Sequence, residues 1–295
     1  MTYGPLVAPT IGVVMEELVR RAILTIRGQR FGFKAEAKHG HGGKKDVVTD
    51  VDHCAQELYV RLLSACFPEY GILAEESGLR KPCRAQGQSL YFTVDPLDGT
   101  KAFARHQSHG VGTMIALVRN SRIIAAYVAD VITGEIFGYG PGSDKTRWIT
   151  DFEHEIPLSP RLDLPLDDQH VVLRNPLAEH SERMQALLAP KGIFKSHQID
   201  SGSIGLMFAR MWKGEVGGVV LGRSYETPWD TTPILGISQR LGFVFYKVTG
   251  KGPRPVRVEI PHEPYWREHE LLVVHRSFDE RIRSVAPPRA SSSPS

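Results

Sequence analysis

The spacing of apolar residues near the start of the chain predicts two amphipathic helices. In residues 10–27, apolar side chains recur at helical intervals. A second helix is predicted over residues 52–67, where a proline then ends it. Either Thr49 or Asp50 can cap its start. Asp52 therefore lies in the first turn, where the helix dipole favours a carboxylate.

Shorter apolar runs in the first half predict strands. Two of them, residues 113–118 and 123–128, are joined by Asn120-Ser121 and read as a hairpin or meander. The other predicted strands of this half lie at residues 71–74, 90–94 and 135–139.

The second half alternates predicted strands and helices, which is typical of α/β folds. Its strands are expected at residues 171–173, 218–221, 243–246 and 271–274, and its helices at residues 180–188, 203–213 and 233–241. For the last helix, Thr232 is the expected N-cap and Pro233 the first helical residue.

Composition shifts suggest how the chain divides. Residues 151–168 are rich in Pro and Asp and make the best boundary between halves at 1–150 and 151–286. Residues 287–295 are low in complexity and are expected to be disordered. Residues 29–45 are basic and rich in glycine, and we expect a mobile, solvated loop. Lys44 and Lys45 in it either approach an anion or are merely solvated.

The overall charge excludes some partners. The net charge is +3, too mild for nucleic acid and compatible with a small anionic substrate. No apolar stretch is long enough for a bilayer, and no signal peptide is expected at the N-terminus. The three cysteines have no CxxC spacing and read as reduced thiols of a cytoplasmic protein.

The candidate chemistry is concentrated in residues 95–100, Asp-Pro-Leu-Asp-Gly-Thr, directly after a predicted buried strand. Asp-Pro and Asp-Gly pairs are common in ordinary turns, so the motif alone does not decide between a turn and a site. Two carboxylates brought this close together repel each other unless a cation lies between them. An all-oxygen site with few ligands suits Mg²⁺.

Three further acids stand where predicted elements begin or end. They are Asp52, Glu75 after the strand at 71–74, and Asp230 after Trp229. Convergence of such acids is typical of phosphoryl transfer at two or three Mg²⁺ ions. Asp95 is the best candidate to bridge two ions. The N–H groups of Gly99 and Thr100 could bind the phosphate.

These motifs together resemble the inositol monophosphatase family of Mg²⁺-dependent, lithium-sensitive phosphatases. The resemblance runs from about Val47 to Gly242 and implies a layered α/β/α/β/α sandwich, often dimeric, here a homodimer. It implies hydrolysis of a small phosphate monoester, similar to inositol monophosphate, by a metal-activated water.

The resemblance also implies roles for single residues. Glu75, Asp95 and the Leu97 carbonyl would hold the first ion, and Asp95, Asp98 and Asp230 the second. Asp52, Glu75 and Thr100 would position and activate the water. Gly202 and Ser203 would meet the substrate alcohol, and Arg223 and Lys45 are further candidates for substrate binding.

The substrate itself is left open by the sequence. Residues 221–226 do not read as an inositol-binding segment. Related phosphatases act on inositol phosphates, histidinol phosphate, fructose bisphosphate or phosphoadenosine nucleotides. A non-catalytic binding or regulatory protein with the same fold is the alternative to an enzyme.

Overall fold

The computed structural model describes residues 7–43, 45–150, 154–189 and 192–284, without the side chains of His41 and Lys45. The predicted tail at 287–295 lies outside these residues. The α-helices in the described part are α1 (Ala8–Gly28), α2 (Asp50–Cys66), α3 (Thr100–Ala104), α4 (Glu182–Leu188), α5 (Ile204–Trp212), α6 (Pro228–Leu241) and α7 (Asp279–Arg283).

A first sheet is built by the first half of the chain. Its strands are β3 (Gly71–Ala74), β4 (Arg80–Lys81), β5 (Leu90–Asp98), β6 (Gly112–Arg119), β7 (Arg122–Asp130), β8 (Ile136–Tyr139), β9 (Arg147–Ile149) and β10 (Glu155–Pro157). They lie in the order β10-β9-β8-β7-β6-β5-β3-β4, and only the β3–β5 pair is parallel.

A second sheet is built by the second half. Its strands are β11 (His170–Leu173), β12 (Ser196–Ile199), β13 (Gly218–Leu221), β15 (Phe243–Thr249), β16 (Gly252–Val256) and β18 (Glu270–His275). Their order is β12-β11-β13-β18-β15-β16, with β11, β12 and β13 parallel. Two small ribbons complete the strands: β1 (Ala35–His39) with β2 (Lys45–Thr49), and β14 (Ser224–Glu226) with β17 (Tyr265–Arg267).

The alternation of side chains along the strands explains the layering. On β6, Ile115 and Leu117 pack with α1 and α2, whereas Met114 and Ala116 pack against α5 and α6. The far side of α5 and α6 meets the second sheet, whose other face is covered by α4 and α7. The predicted α/β/α/β/α sandwich is therefore confirmed, with α5 and α6 as its middle layer.

The start of α6 corrects one sequence prediction. The helix begins at Pro228, and the Thr227 hydroxyl accepts the Asp230 N–H at 3.2 Å. Pro233, expected as the first residue, lies inside the helix. Two Thr-Pro pairs occur five positions apart, and both have the chemistry of a helix start. Burial of Trp229 against the fold selects the first pair.

The expectation of a mobile loop over residues 29–45 is also wrong in part. Residues 35–39 form β1, which pairs with β2 in antiparallel register. This places Lys38 opposite Asp46. The ribbon is largely exposed, so its sequence lacks the apolar alternation by which a strand is recognised.

Arg267 connects the two strands of the β14–β17 ribbon through its side chain. Its side chain is buried and binds Glu226 at 2.7 Å, the Gly222 carbonyl at 2.8 Å and the Ser224 hydroxyl at 3.2 Å. Glu226 also accepts the Thr231 hydroxyl at 2.6 Å. The ion pair therefore fixes the ribbon to the first turn of α6.

We predict that Arg267→Met destabilises the fold strongly. The variant leaves the largely buried Glu226 without its cation, and breaking a buried pair in this way typically costs about 3–5 kcal/mol. Arg281→Met is the matched control, because the pair between Arg281 and Asp167 is exposed and should contribute less than about 1 kcal/mol. Urea denaturation measures both variants. Equal losses would contradict the prediction.

Candidate active site

A β-bulge brings the two acids of the motif to one face. Asp95 pairs with Met114 and Asp98 with Gly112, so three steps on β5 face two steps on β6. Residues three apart on a regular strand point to opposite faces. The extra residue restores the parity, so that Asp95 and Asp98 share a face. The Leu97 N–H donates to the Asp95 carboxylate at 3.0 Å and holds the bulge.

Gly99 allows the chain to turn at the end of the motif. Its φ of 93° is in the left-handed region, and a Cβ at this position would lie 2.2 Å from the Gly110 carbonyl oxygen. The same Cβ would lie 2.7 Å from the Ser203 nitrogen. Only glycine permits this close approach of three backbone segments.

Asp98 joins the motif to the start of α5. Its carboxylate accepts the N–H of Ile204 at 3.0 Å, the N–H of Gly205 at 2.8 Å and the hydroxyl of Ser203. The Ser203 oxygen also accepts the Leu206 N–H at 2.9 Å and caps the helix. A carboxylate is stabilised here by both the free N–H groups and the helix dipole.

Glu75 enters the site from the end of β3. Its carboxylate is 3.1 Å from the Lys38 ammonium, which also lies 2.7 Å from Glu76. Glu76 is held in turn by Gln56 of α2, through two hydrogen bonds of its backbone. Lys38 was not predicted, because no local pattern shows that the β1–β2 ribbon reaches these acids.

Asp52 and Thr100 form a hydrogen-bonded pair beside the acids. The Thr100 hydroxyl lies 2.9 Å from Asp52 Oδ1 and 3.1 Å from the Leu97 carbonyl oxygen. The other oxygen of Asp52 accepts both the N–H and the hydroxyl of Thr49, at 2.8 and 2.5 Å. Thr49 is the helix cap, one of the two predicted alternatives. The capping box thus also orients Asp52.

Asp230 completes the group from the first turn of α6. Burial and repulsion from Asp98 raise its pKa to about 6. Burial raises the pKa of Asp95 well above its usual range, and repulsion from Glu75, Asp98 and Asp230 adds to the effect. Asp95 and Asp230 are close enough to share a proton in a hydrogen bond.

The other acids are shifted in the same direction. Burial raises the pKa of Glu75 to about 8 against the opposing effect of Lys38. Burial raises the pKa of Asp52 to about 6 and also raises that of Asp98. The site therefore holds more carboxyl groups than its cations can neutralise, and the raised pKa values are the consequence.

The donor chemistry fits hard divalent cations. Carboxylates and a carbonyl are the oxygen ligands that Mg²⁺ takes, and a divalent ion would remove the repulsion among them. In the described part of the chain, no three His, Cys, Asp or Glu side chains already form a metal-site arrangement. Lys38 holds Glu75, and the start of α5 holds Asp98. The acids are therefore neighbours, but their oxygens do not surround a single metal position.

A cleft of about 290 Å³ opens beside these acids. Glu75 and Asp230 line it, together with Lys101, Tyr225 and Arg174. Arg174 was not predicted. It follows directly after β11, and its positive charge partly offsets the raised pKa values of Asp98 and Asp230. A cation at the carboxyl end of a parallel strand was the available signal.

Three predicted substrate residues lie elsewhere. Arg223 is exposed and lines a separate depression with Lys247 and His269. Neighbouring residues of an extended chain point to opposite sides, and the preceding residue, Gly222, faces the cleft. The structure therefore does not place Arg223 in the cleft beside the acids. Ser203 and Gly202 do not line the cleft, and the Ser203 hydroxyl is engaged by Asp98. The side chain of Lys45 lies outside the described part.

Comparison with known proteins identifies the family. The sequence matches the inositol monophosphatase family over residues 10–284. The chain belongs to the inositol monophosphatase family. Among curated members, the Nus factor SuhB of Xylella fastidiosa is 35% identical over 100 residues, and that of Vibrio cholerae is 34% identical over 95 residues. The matched part spans 34% of each of these relatives.

Solved structures of this family have the same fold. The IMPase of Thermotoga maritima has a TM-score of 0.68 at 19% identity, covering 91% of this chain and 93% of that one. A staphylococcal IMPase-I complexed with products has a TM-score of 0.70 at 18% identity, covering 94% and 95%. Among the described residues, no helix is both long and apolar enough to cross a membrane.

We predict that the metal-free protein loses stability as the pH rises. The pKa of Glu75 is raised from 4.5 to about 8, so the folded chain holds this proton more tightly than the unfolded chain. The resulting stabilisation is complete below the unfolded pKa and is lost as the pH rises through the folded pKa. The Tm in chelator should therefore fall between about pH 5.5 and about pH 8.5.

Two controls accompany this pH prediction. Mg²⁺ should raise the Tm more at the higher pH, where the carboxylates are ionised. Glu75→Gln keeps the shape of the protonated side chain and should flatten the pH profile. A Tm that rises over this interval, or an unchanged slope in the variant, would contradict the prediction.

Proposed function

We propose that the chain is a Mg²⁺-dependent phosphomonoesterase. The observation that carries the proposal is the convergence of Glu75, Asp95, Asp98 and Asp230, with raised pKa values, beside the Asp52–Thr100 pair. An acid cluster that only stabilised the fold would be paired with cations. Here the described cations leave a surplus of negative charge that divalent ions would neutralise.

The proposed ligand sets follow the arrangement of these residues. Glu75, Asp95 and the Leu97 carbonyl would hold one ion, and Asp95, Asp98 and Asp230 a second. When bound, the ions supply a more acidic water and stabilise charge on the phosphate and the leaving oxygen. Among the structural neighbours, one IMPase/NADP phosphatase is complexed with Mg²⁺ and phosphate.

Asp52 and Thr100 would handle the proton of the attacking water. Thr100 has a single hydroxyl proton and two acceptors within reach, Asp52 Oδ1 and the Leu97 carbonyl. As the Thr100 hydroxyl proton passes to Asp52, the Thr100 oxygen would accept a proton from the water in the same step, so that no free alkoxide forms. Thr49 keeps Asp52 in the orientation for this exchange. The Gly99 and Thr100 N–H groups would bind the phosphate.

The substrate is proposed as a small phosphate monoester similar to inositol monophosphate. One structural neighbour, a dual-specific IMPase/NADP phosphatase, is bound with D-inositol-1-phosphate. Histidinol phosphate, fructose 1,6-bisphosphate and phosphoadenosine nucleotides are the alternatives. The curated relatives carry the name Nus factor, so a non-catalytic regulatory role is the second candidate. The homodimer and the cytoplasmic location stay predictions.

Phosphate release with and without Mg²⁺ tests the proposal. We expect chelation to abolish hydrolysis of phosphate monoesters and Mg²⁺ to restore it. Asp95→Asn should abolish it at all Mg²⁺ concentrations, because both ions lose a ligand. Asp163→Asn, at an exposed acid that pairs with Arg161 and does not line the cleft, is the control. Full activity in excess chelator would refute the metal mechanism, and a folded wild type without activity would favour the regulatory candidate.

A second experiment tests the proton route. Thr100→Ala should lower kcat by about 10²–10⁴-fold, the usual contribution of general acid–base catalysis. Thr100→Ser keeps the hydroxyl and should recover most of the rate. The KM and the half-saturating Mg²⁺ concentration should change little in either variant. Equal rates in the serine and alanine variants would show that the hydroxyl does not transfer the proton.

A further inference from the structure

The cleft has two chemically different walls. One carries the acids Glu75 and Asp230, and the other is the edge of the second sheet. At this edge the parallel strands β11 and β13 both end, so Arg174 and Gly222 stand side by side where a ligand can enter. Ligands of α/β folds commonly bind at such carboxyl ends.

Arg174 is the cation of the second wall. Its side chain is exposed and lines the cleft. Its charge acts on Asp98 and Asp230, which places the guanidinium within electrostatic reach of the acids. Among the residues that the structure describes, none forms an ion pair or hydrogen bond with Arg174. Its donors are therefore available to a ligand.

The other charged groups near the cleft are already engaged. Lys101 lies 3.2 Å from Asp46, on the rim formed by the β1–β2 ribbon. Glu226 is bound by Arg267 and Thr231. The Asn175 amide donates to Glu179 at 2.9 Å. The second wall thus offers a neutral polyol few carboxylate or amide acceptors, chiefly the Asn175 amide oxygen, whereas Arg174 can only donate.

Metal binding would change the charge that surrounds Arg174. Divalent ions at the acids would remove the negative charge that Arg174 now faces. The remaining uncompensated charge on the second wall is then positive. A guanidinium binds carboxylate or phosphate through two parallel hydrogen bonds, which gives both strength and orientation.

We propose that the cleft takes a phosphomonoester whose alcohol part carries a second anionic group, and that Arg174 pairs with this group. The proposal rests on the phosphatase function proposed above and narrows its substrate class. The second group is a phosphate or a carboxylate. Arg174 selects the substrate, whereas the acids of the first wall perform the reaction.

Matched substrate pairs test the proposal. One pair is fructose 1,6-bisphosphate and fructose 1-phosphate, which differ by one phosphate. The other is 3-phosphoglycerate and glycerol 3-phosphate, which differ by one carboxylate. We expect wild type to prefer the member that carries the second anionic group, in at least one pair, by about 10–100-fold in kcat/KM, the effect of a hydrogen bond to a charged group. The pair with the larger ratio identifies the second group.

The variants separate selection from a structural role. Arg174→Gln should reduce this ratio to nearly one. Arg223→Gln, at an exposed arginine outside the cleft, should keep the ratio of wild type. Equal losses on both members of a pair, with a shifted half-saturating Mg²⁺ concentration, would mean that Arg174 only compensates the acids. That result, or a wild type without preference, would overturn the proposal.

A separate result would show that the proposed phosphatase function is wrong. A chain inactive on all four esters and on p-nitrophenyl phosphate would refute the enzyme. Calorimetric binding of 3-phosphoglycerate and glycerol 3-phosphate in Ca²⁺ would still decide the role of Arg174. Tighter binding of 3-phosphoglycerate that is lost in Arg174→Gln supports it. Equal binding of both esters, or equal binding by both proteins, overturns it.

Discussion

Repulsion among carboxylates is the constraint on which the rest of the site depends. Asp95, Asp98, Asp230 and Glu75 occupy one partly buried region, where like charges interact more strongly than in water. The chain limits this repulsion in three ways: Lys38 neutralises part of it, α5 donates hydrogen bonds to Asp98, and a hydrogen bond links Asp95 with Asp230. Each of these is a contact that a divalent ion would modify.

The middle layer of the sandwich explains how the acids are held together. Helices α5 and α6 both begin at the site and both pack between the two sheets. The start of α5 binds Asp98 from the first sheet, and the start of α6 carries Asp230. The Arg267–Glu226 pair fixes the same turn of α6 to the β14–β17 ribbon. The site thus lies on regular elements anchored from both sides.

Most of the fold was predictable because the spacing of apolar residues along the chain indicates which side chains are buried. The helices at the N-terminus, the meander and the alternating second half were all found from spacing alone. The boundary of α6 was not, since Thr227-Pro228 and Thr232-Pro233 have the same capping chemistry and only tertiary packing distinguishes them. The exposed strand β1 was missed because its residues have no apolar face to bury.

The candidate site was predictable to the extent that its chemistry lies in short motifs. Asp95, Asp98 and Thr100 lie within six residues of one another, so the sequence alone indicated that they belong to one site. Lys38 and Arg174 enter from distant segments. Lys38 had no local signal, and the signal for Arg174 was its place directly after a predicted strand, which does not name its partner. Arg223 was chosen for its place before Asp230, but the side to which it points depends on the turn between β13 and β14.

The bulge in β5 has a consequence for how this motif can vary. Asp95 and Asp98 face the same way only because one strand contains one more residue than its partner between the two pairings. Deleting or inserting a single residue there would turn Asp98 towards the opposite layer, into the packing of α1 and α2. Substitution at the two intervening positions leaves that parity intact. Selection on this motif should therefore act more strictly on its length than on the residues between its acids.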